Sequence, residues 1–195
     1  MHGLINKAIE RFLRETYGDA CWQDIARAAG TPEAGFECML VYDAADTFRL
    51  LDAAQAQLDK PRAQILEDIG TFLVSHPGLE SLRRLLRFGG DDFVEFLHSL
   101  DDLPERARLA VPDLDLPRIE LREHAANHYS VISEHGWPGF GRVIVGLLRA
   151  IADDYGALVL LDHKGGREGT EVVEVRLLEQ AFAKGRAFHL GARTG

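Results

Sequence analysis

The stretch Phe96-Leu97-His98-Ser99-Leu100-Asp101-Asp102-Leu103-Pro104 decides how this chain is read. Phe93, Phe96, Leu97 and Leu100 recur at helical spacing and predict a helix with one buried face. Gly89-Gly90 ahead of them gives a break, and Asp91-Asp92 supplies an acidic N-terminus that suits the helix dipole. The stretch ends at Pro104, a residue with no ligating atom. His98 lies six residues earlier, a helical rotation of about 240° modulo full turns, so it is expected to point away from the Pro104 direction. It reads as a surface or partly buried histidine beside acidic neighbours.

These residues resemble the ligand helix of haem nitric oxide/oxygen binding (H-NOX) domains. In that family the pattern runs F-L-x-x-L-D-x-L-H, and the closing histidine binds the haem iron. Pro104 stands where that histidine is expected. The N-terminus, from Met1-His2-Gly3-Leu4-Ile5-Asn6 to Gly18-Asp19-Ala20-Cys21-Trp22, is similar to the family's M-x-G-x-I opening and its G-x-x-x-W. Tyr42-Asp43-Ala44-Ala45-Asp46-Thr47 resembles the start of a long family helix. Ile69-Gly70-Thr71-Phe72, Leu82-Arg83-Arg84-Leu85-Leu86-Arg87 and Val143-Ile144-Val145-Gly146-Leu147 resemble three later elements in the right order. The resemblance covers nearly the whole chain and implies an H-NOX-like fold.

The residue patterns independently predict an α+β fold with an antiparallel sheet. Leu4, Ala8, Ile9, Phe12 and Leu13 form one helical stripe. Asp43 or Asp46 is expected to cap the helix through Phe48, Leu51, Ala54 and Leu58, which stops at Asp59-Lys60, and Pro61 opens the next. After Pro112 the period changes to two, over Leu116–Arg122 and again over Glu171–Leu177. Between them lie an amphipathic helix from about Gly141 to Tyr155 and the apolar run Ala157–Leu161. Gly165-Gly166 and Gly169 are expected to turn that run back onto the Glu171 strand as a hairpin. Residues 1–190 read as one domain, with a helical part over about 1–112 and a sheet-containing part over about 113–190. Residues 191–195 read as a flexible tail.

Composition narrows the function. A chain of 195 residues, 46% hydrophobic, can bury a sizeable core. Its formal charge of −9 argues against a nucleic-acid partner. Arg83, Arg84 and Arg87 form the densest basic stretch, beside Asp91-Asp92, and read as a solvated helix face. Asn6, Lys7, Glu10 and Arg11 interrupt any apolar core of a signal peptide, and no stretch reaches the ~20 apolar residues of a membrane span. Cys21 and Cys38 make neither a disulfide framework nor a metal motif and read as ordinary buried thiols. A cytoplasmic location is expected.

Nor does the sequence carry a catalytic set. Ser133 and His135 lack an elbow or oxyanion loop, and Gly165-Gly166-x-x-Gly169 lacks the strand–helix setting of a phosphate loop. His124 and His128 stand four apart, but the segment reads as a strand or hairpin without a third ligand, so no metal is expected. The chain is expected not to be an enzyme.

The resemblance implies a haem site of two parts, the axial histidine and a Y-x-S-x-R motif whose side chains hold the propionates. Here the second region reads His128-Tyr129-Ser130-Val131-Ile132-Ser133-Glu134-His135. One register puts Val131, Ser133 and His135 at the tyrosine, serine and arginine; the other puts Tyr129, Val131 and Ser133 there. The first needs an insertion of only about three residues, around Gly136-Trp137-Pro138. Neither restores the arginine, so haem is not expected as a cofactor.

By position in the family, the former haem pocket would be lined by Ile5, Ile9, Leu97, Leu103, Pro104, Val143 and Leu147. Ile5, Leu103 and Val143 are expected in one apolar cluster joining the two parts. An empty cavity costs about 24 cal/mol per Å3, so larger side chains, collapse of the two parts or another apolar ligand must compensate. H-NOX domains act on histidine kinases or cyclic-nucleotide enzymes, and the resemblance implies a bacterial-type sensory or regulatory protein. Three readings follow: a haem-independent regulator working through protein contact and an optional small apolar ligand, a haem-based NO/O2 sensor with an unusual ligand such as His98, and a carrier of small hydrophobic molecules.

Overall fold

A computed structural model describes residues 1–166 and 169–186. The expected tail, 191–195, lies outside the described residues. Seven helices come first: α1 (Gly3–Tyr17), α2 (Asp19–Ala29), α3 (Ala44–Leu58), α4 (Arg62–Ser75), α5 (Glu80–Arg87), α6 (Phe93–His98) and α7 (Leu103–Ala110). Then follow β1 (Arg118–Ala125), β2 (His128–Glu134), α8 (Phe140–Tyr155), β3 (Leu158–His163) and β4 (Glu171–Glu179). The four strands form one antiparallel sheet in the order β1-β2-β4-β3. The fold is α+β, as the change of period after Pro112 predicts.

Local chemistry sets the boundaries. The Asp43 carboxylate accepts from the Ala45 N–H and caps α3. Asp92 caps α6 through the Glu95 N–H, while Glu95 reaches back to the Asp91 N–H, a reciprocal pair at the predicted acidic start. Pro61 sits one position earlier than expected, as the cap rather than the first residue of α4. β1 begins at Arg118, two residues past the start of the alternating stretch, because Leu116 and Pro117 belong to the incoming loop.

The pleat sorts the sheet into two faces. Strand register places Ile119, Leu121, Tyr129, Val131, Val173 and Val175 on the inner face. Glu120, Arg122, Ser130, Glu174 and Arg176 share the other, solvent-side face. Against the inner face lies α8, which buries twelve of its sixteen residues, the mark of a central helix.

Glycines on both helices allow α8 to cross α4 backbone to backbone. A Cβ on Gly146 would fall 1.8 Å from the Glu67 carbonyl oxygen, and one on Gly70 would fall 2.1 Å from that of Val143. The Thr71 hydroxyl donates to the Gly146 carbonyl at 3.2 Å. Glu67 pairs with Arg142 at 2.9 Å and Arg149 at 3.0 Å on the flank of the same crossing.

The basic stretch on α5 is not a solvated face. Arg83 is buried, and its guanidinium pairs with Asp154 of α8, itself only 1% exposed. Arg87 donates to the Asp154 carbonyl at 3.0 Å and lies over the Tyr155 ring at 3.7 Å. A carboxylate desolvated at the end of α8 needs a cation, and α5 brings one. Cys21 and Cys38 are free but half-buried rather than buried; burial first, and Asp24 second, push the Cys21 thiol up.

Candidate functional site

The decisive stretch folds as α6, a single 3-10 turn over Leu100–Asp102, and α7. Pro104 is buried in the first turn of α7, where the missing N–H breaks no helical hydrogen bond. Phe96, Leu97, Leu100 and Leu103 enter the cluster that holds Ile119, Tyr129, Val131, Ile144 and Leu147. This segment thus packs against the inner face of the sheet and α8. Asp101 fastens it to the edge of the sheet by accepting from the Leu121 N–H at 2.7 Å. His98 is exposed, with its ring edge-on to Tyr129 at 6.1 Å between centroids. His98 ends α6 and Pro104 belongs to α7, so the two do not share the single helix expected from the sequence, and a rotation about one axis does not relate them.

On β2, Tyr129, Val131 and Ser133 share the inner face. Tyr129 and Val131 are part of the cluster, and burial raises the Tyr129 phenol above its usual range. The Ser133 hydroxyl donates to the Glu171 carbonyl at 3.4 Å. His124 lies 2.7 Å from the Ser130 hydroxyl and His128 lies 2.8 Å from Glu174, both within the β1–β2 region expected to be a hairpin. No group of three or more His, Cys, Asp or Glu side chains suited to a metal occurs among the described residues.

The resemblance-derived lining residues do not form a single cluster. Ile9 and Val143, with Ile5 packed against them, belong to the cluster among α1–α4. Leu97, Leu103 and Leu147 belong to the one between α6, α8 and the sheet. The expected grouping of Ile5, Leu103 and Val143 fails because α8 lies between the clusters and offers Val143 to one and Leu147 to the other. Trp137 packs against both.

A cleft of ≈ 390 Å3 opens elsewhere along the junction. Met1, His2 and Val41 line it from the helical part; Leu116 and Pro117 from the loop into β1; His135, Gly136 and Trp137 from the β2–α8 connection. Asp113 and Asp115 complete the lining. His2 caps α1, its Nδ1 accepting from the Leu4 N–H at 3.2 Å. His135 has φ 57°, a left-handed turn that ends β2 at the cleft. Behind it, Glu171 accepts from the Gly139 N–H at 2.6 Å, the Gly141 N–H at 2.7 Å and His163 Nε2 at 2.9 Å. Burial pushes the Glu171 carboxyl up, but those hydrogen bonds outweigh it and hold the group below its usual range.

The sequence pattern of the haem-NO-binding (HNOB) family matches residues 2–163. The chain belongs to the H-NOX family. Soluble guanylate cyclase gcy-31 of Caenorhabditis elegans is 23% identical over 154 residues, which are 79% of this chain and 22% of that protein. Soluble guanylate cyclase 89Db of Drosophila melanogaster is 17% identical over 80% of this chain and 23% of its own length. The chain therefore spans less than a quarter of the cyclases it matches. In structure it is similar to the unliganded Fe(II) H-NOX protein of K. algicida, with a TM-score of 0.78 and 17% identity over 94% of this chain and all of that one. The H-NOX protein of S. oneidensis in its Fe(II)NO state matches with a TM-score of 0.75 and 17% identity, over 92% of this chain and all of that one.

The residues of this H-NOX chain do not fit haem as the family resemblance describes it. The ligand position holds a buried proline among side chains that pack directly on the sheet. Neither β2 register offers an arginine, and the one hydroxyl common to both, that of Ser133, is spent on a backbone carbonyl. The cleft escaped the sequence reading because residues 1–2, 41, 113–117 and 135–137 meet only in the fold. One local signal preceded it, the apolar run Cys38-Met39-Leu40-Val41 ahead of Tyr42.

Proposed function

We propose that this H-NOX protein is a haem-independent sensory or regulatory protein, of the bacterial signalling type, that acts through contact with a partner. The observation that carries the reading is Pro104, buried and packed where the family's iron ligand belongs. The partner class is a histidine kinase or a cyclic-nucleotide enzyme, in line with the cyclases that match over this domain. The chain performs no catalysis of its own and works in the cytoplasm; no described helix is long and apolar enough to cross a membrane. A small apolar ligand at the junction of the two parts is an accessory to this role. The rival haem sensor with His98 as ligand gains no support from an exposed ring turned toward Tyr129.

Absorbance of protein expressed with added haem tests the proposal. The protein is expected to purify without a Soret band, and Pro104→His alone is expected not to create a stable one, since the propionates still lack partners and unpaired charges cost several kcal/mol. A full-occupancy Soret band that survives gel filtration in the unmodified protein overturns the haem-independent role. The same band in Pro104→His alone shows that β2 does hold propionates.

A further inference from the structure

Met39, Leu40 and Val41 are 73%, 54% and 77% exposed. A single exposed apolar side chain is ordinary, but three in succession are a fault in a sequence unless they serve contact. These three do not belong to a slack loop. Gly3 N–H donates to the Leu40 carbonyl at 2.7 Å, and Tyr42 N–H donates to the Met1 carbonyl at 2.9 Å. Glu37 N–H donates to the Tyr42 hydroxyl at 2.9 Å. Buried Glu10 accepts from the Phe36 N–H at 2.8 Å and anchors the start of the segment. The approach to α1 is so close that a Cβ on Gly3 would fall 2.1 Å from the Glu37 carbonyl oxygen. The backbone thus holds the apolar run out to solvent.

The run adjoins the junction cleft, since Val41 is one of its walls, with Pro117 and Trp137 facing it. Carboxylates surround this surface. Glu37 and Asp43 flank the run in sequence and are exposed, and Asp113 and Asp115 line the cleft. Asp115 is 98% exposed, with Arg108 at 3.9 Å, and the Met1 ammonium is tied to the Tyr42 carbonyl at 2.7 Å. An apolar centre with an acidic rim attracts the opposite pattern, apolar side chains flanked by cations.

We propose that Met39-Leu40-Val41 and the cleft form a docking surface for a partner-protein segment whose apolar side chains are flanked by lysine or arginine. This rests on the regulatory reading above and gives the contact a place. An occupant there touches both the helical part, through Val41, and the sheet-containing part, through Pro117 and Trp137, so its binding energy depends on how the two parts sit.

Two fluorescein-labelled peptides test it, each with three central leucines, one flanked on both sides by three lysines and the other by three glutamates. Anisotropy titration is expected to show at least tenfold tighter binding of the lysine peptide, weakening with salt. Amide shifts should concentrate at residues 39–43 and at Leu116, with the Trp137 indole N–H shifting alongside them. Val41→Asp, a change at an exposed side chain, should weaken binding at least tenfold, and Asp113→Lys with Asp115→Lys should reverse the preference toward the glutamate peptide. Equal binding of the two peptides, no binding, or shifts elsewhere overturns the proposal. So does a dimer that Val41→Asp dissolves, which assigns the surface to a second copy of the chain. Failure here in haem-free protein leaves the haem-independent reading intact, whereas a Soret band in the unmodified protein removes that reading whatever the peptides do.

Discussion

Gly146→Ala probes the joint between the two parts of the molecule. In an ordinary helix interior, glycine to alanine is stabilising by about 1 kcal/mol. Here the new methyl would stand 1.8 Å from the Glu67 carbonyl oxygen and 2.9 Å from the Thr71 nitrogen, where non-bonded carbons need about 3.5 Å. Both obstacles are backbone, which cannot rotate aside, so α4 and α8 must part. Parting them strains a close-packed crossing, for which overpacking costs about 1–3 kcal/mol or more. It also stretches the 3.2 Å Thr71–Gly146 hydrogen bond, a further loss of about 1 kcal/mol. The clash outweighs the propensity gain, and a net destabilisation of about 3 kcal/mol is expected. For a chain of this size that lowers Tm by about 6–12 °C. Urea unfolding followed by circular dichroism measures it. Gly70→Ala should behave alike, and the double variant should cost less than the sum, because helices already parted accept the second methyl. A single variant that loses less than about 1 kcal/mol, or gains stability, refutes the backbone crossing.

Asp154→Asn removes the buried carboxylate charge that pairs with the Arg83 guanidinium, and a loss of about 3–5 kcal/mol is expected in urea unfolding; a loss below about 1 kcal/mol would mean that this pair contributes little to stability. Acid should weaken the sheet through two carboxylates whose folded pKa lies below the usual value, Glu171 by hydrogen bonds that outweigh its burial and Glu174, lowered to about 2 by Lys164 and Arg176 first, then His128. Their contribution is fully present above the ordinary carboxylate range and disappears as pH falls from about 4.5 toward 2. Unfolding curves at pH 6, 4 and 3 should show the fall, and Glu171→Gln with Glu174→Gln should flatten it; an unchanged slope in that double variant removes both groups from the account.

Much of the fold is legible because local signals and tertiary needs agree. Of the two cap candidates Asp43 and Asp46, Asp43 caps α3, the acidic pair Asp91-Asp92 stands at the start of α6, and the change from helical to alternating period after Pro112 marks where helices give way to strands. Legibility ends where burial depends on a distant partner. A run of arginines reads as solvated because its neighbours in sequence are acidic, yet Asp154, 71 residues on, draws Arg83 inside. Glu10 and Asn6 sit on the face of α1 that the apolar stripe does not predict, and both are buried. Loop backbone at Phe36 and the Thr47 hydroxyl meet them there. No single-segment pattern contains such pairs.

The candidate site divides on the same principle. Pro104 could be read at once, because the missing atom is a property of one residue and no packing supplies it. The fate of the surrounding space could not, since it depends on which way α8 turns each apolar side chain. Spacing makes Val143 and Leu147 near-equivalent on one helical face, and the structure still divides them between clusters. What separates them is the crossing at Gly146, where α4 comes so close that the side chains on either side must go around it. Two glycines, Gly70 after Ile69 and Gly146 after Ile144-Val145, thus decide how the interior is shared. That backbone contact holds α4 directly against the helix that packs on the sheet.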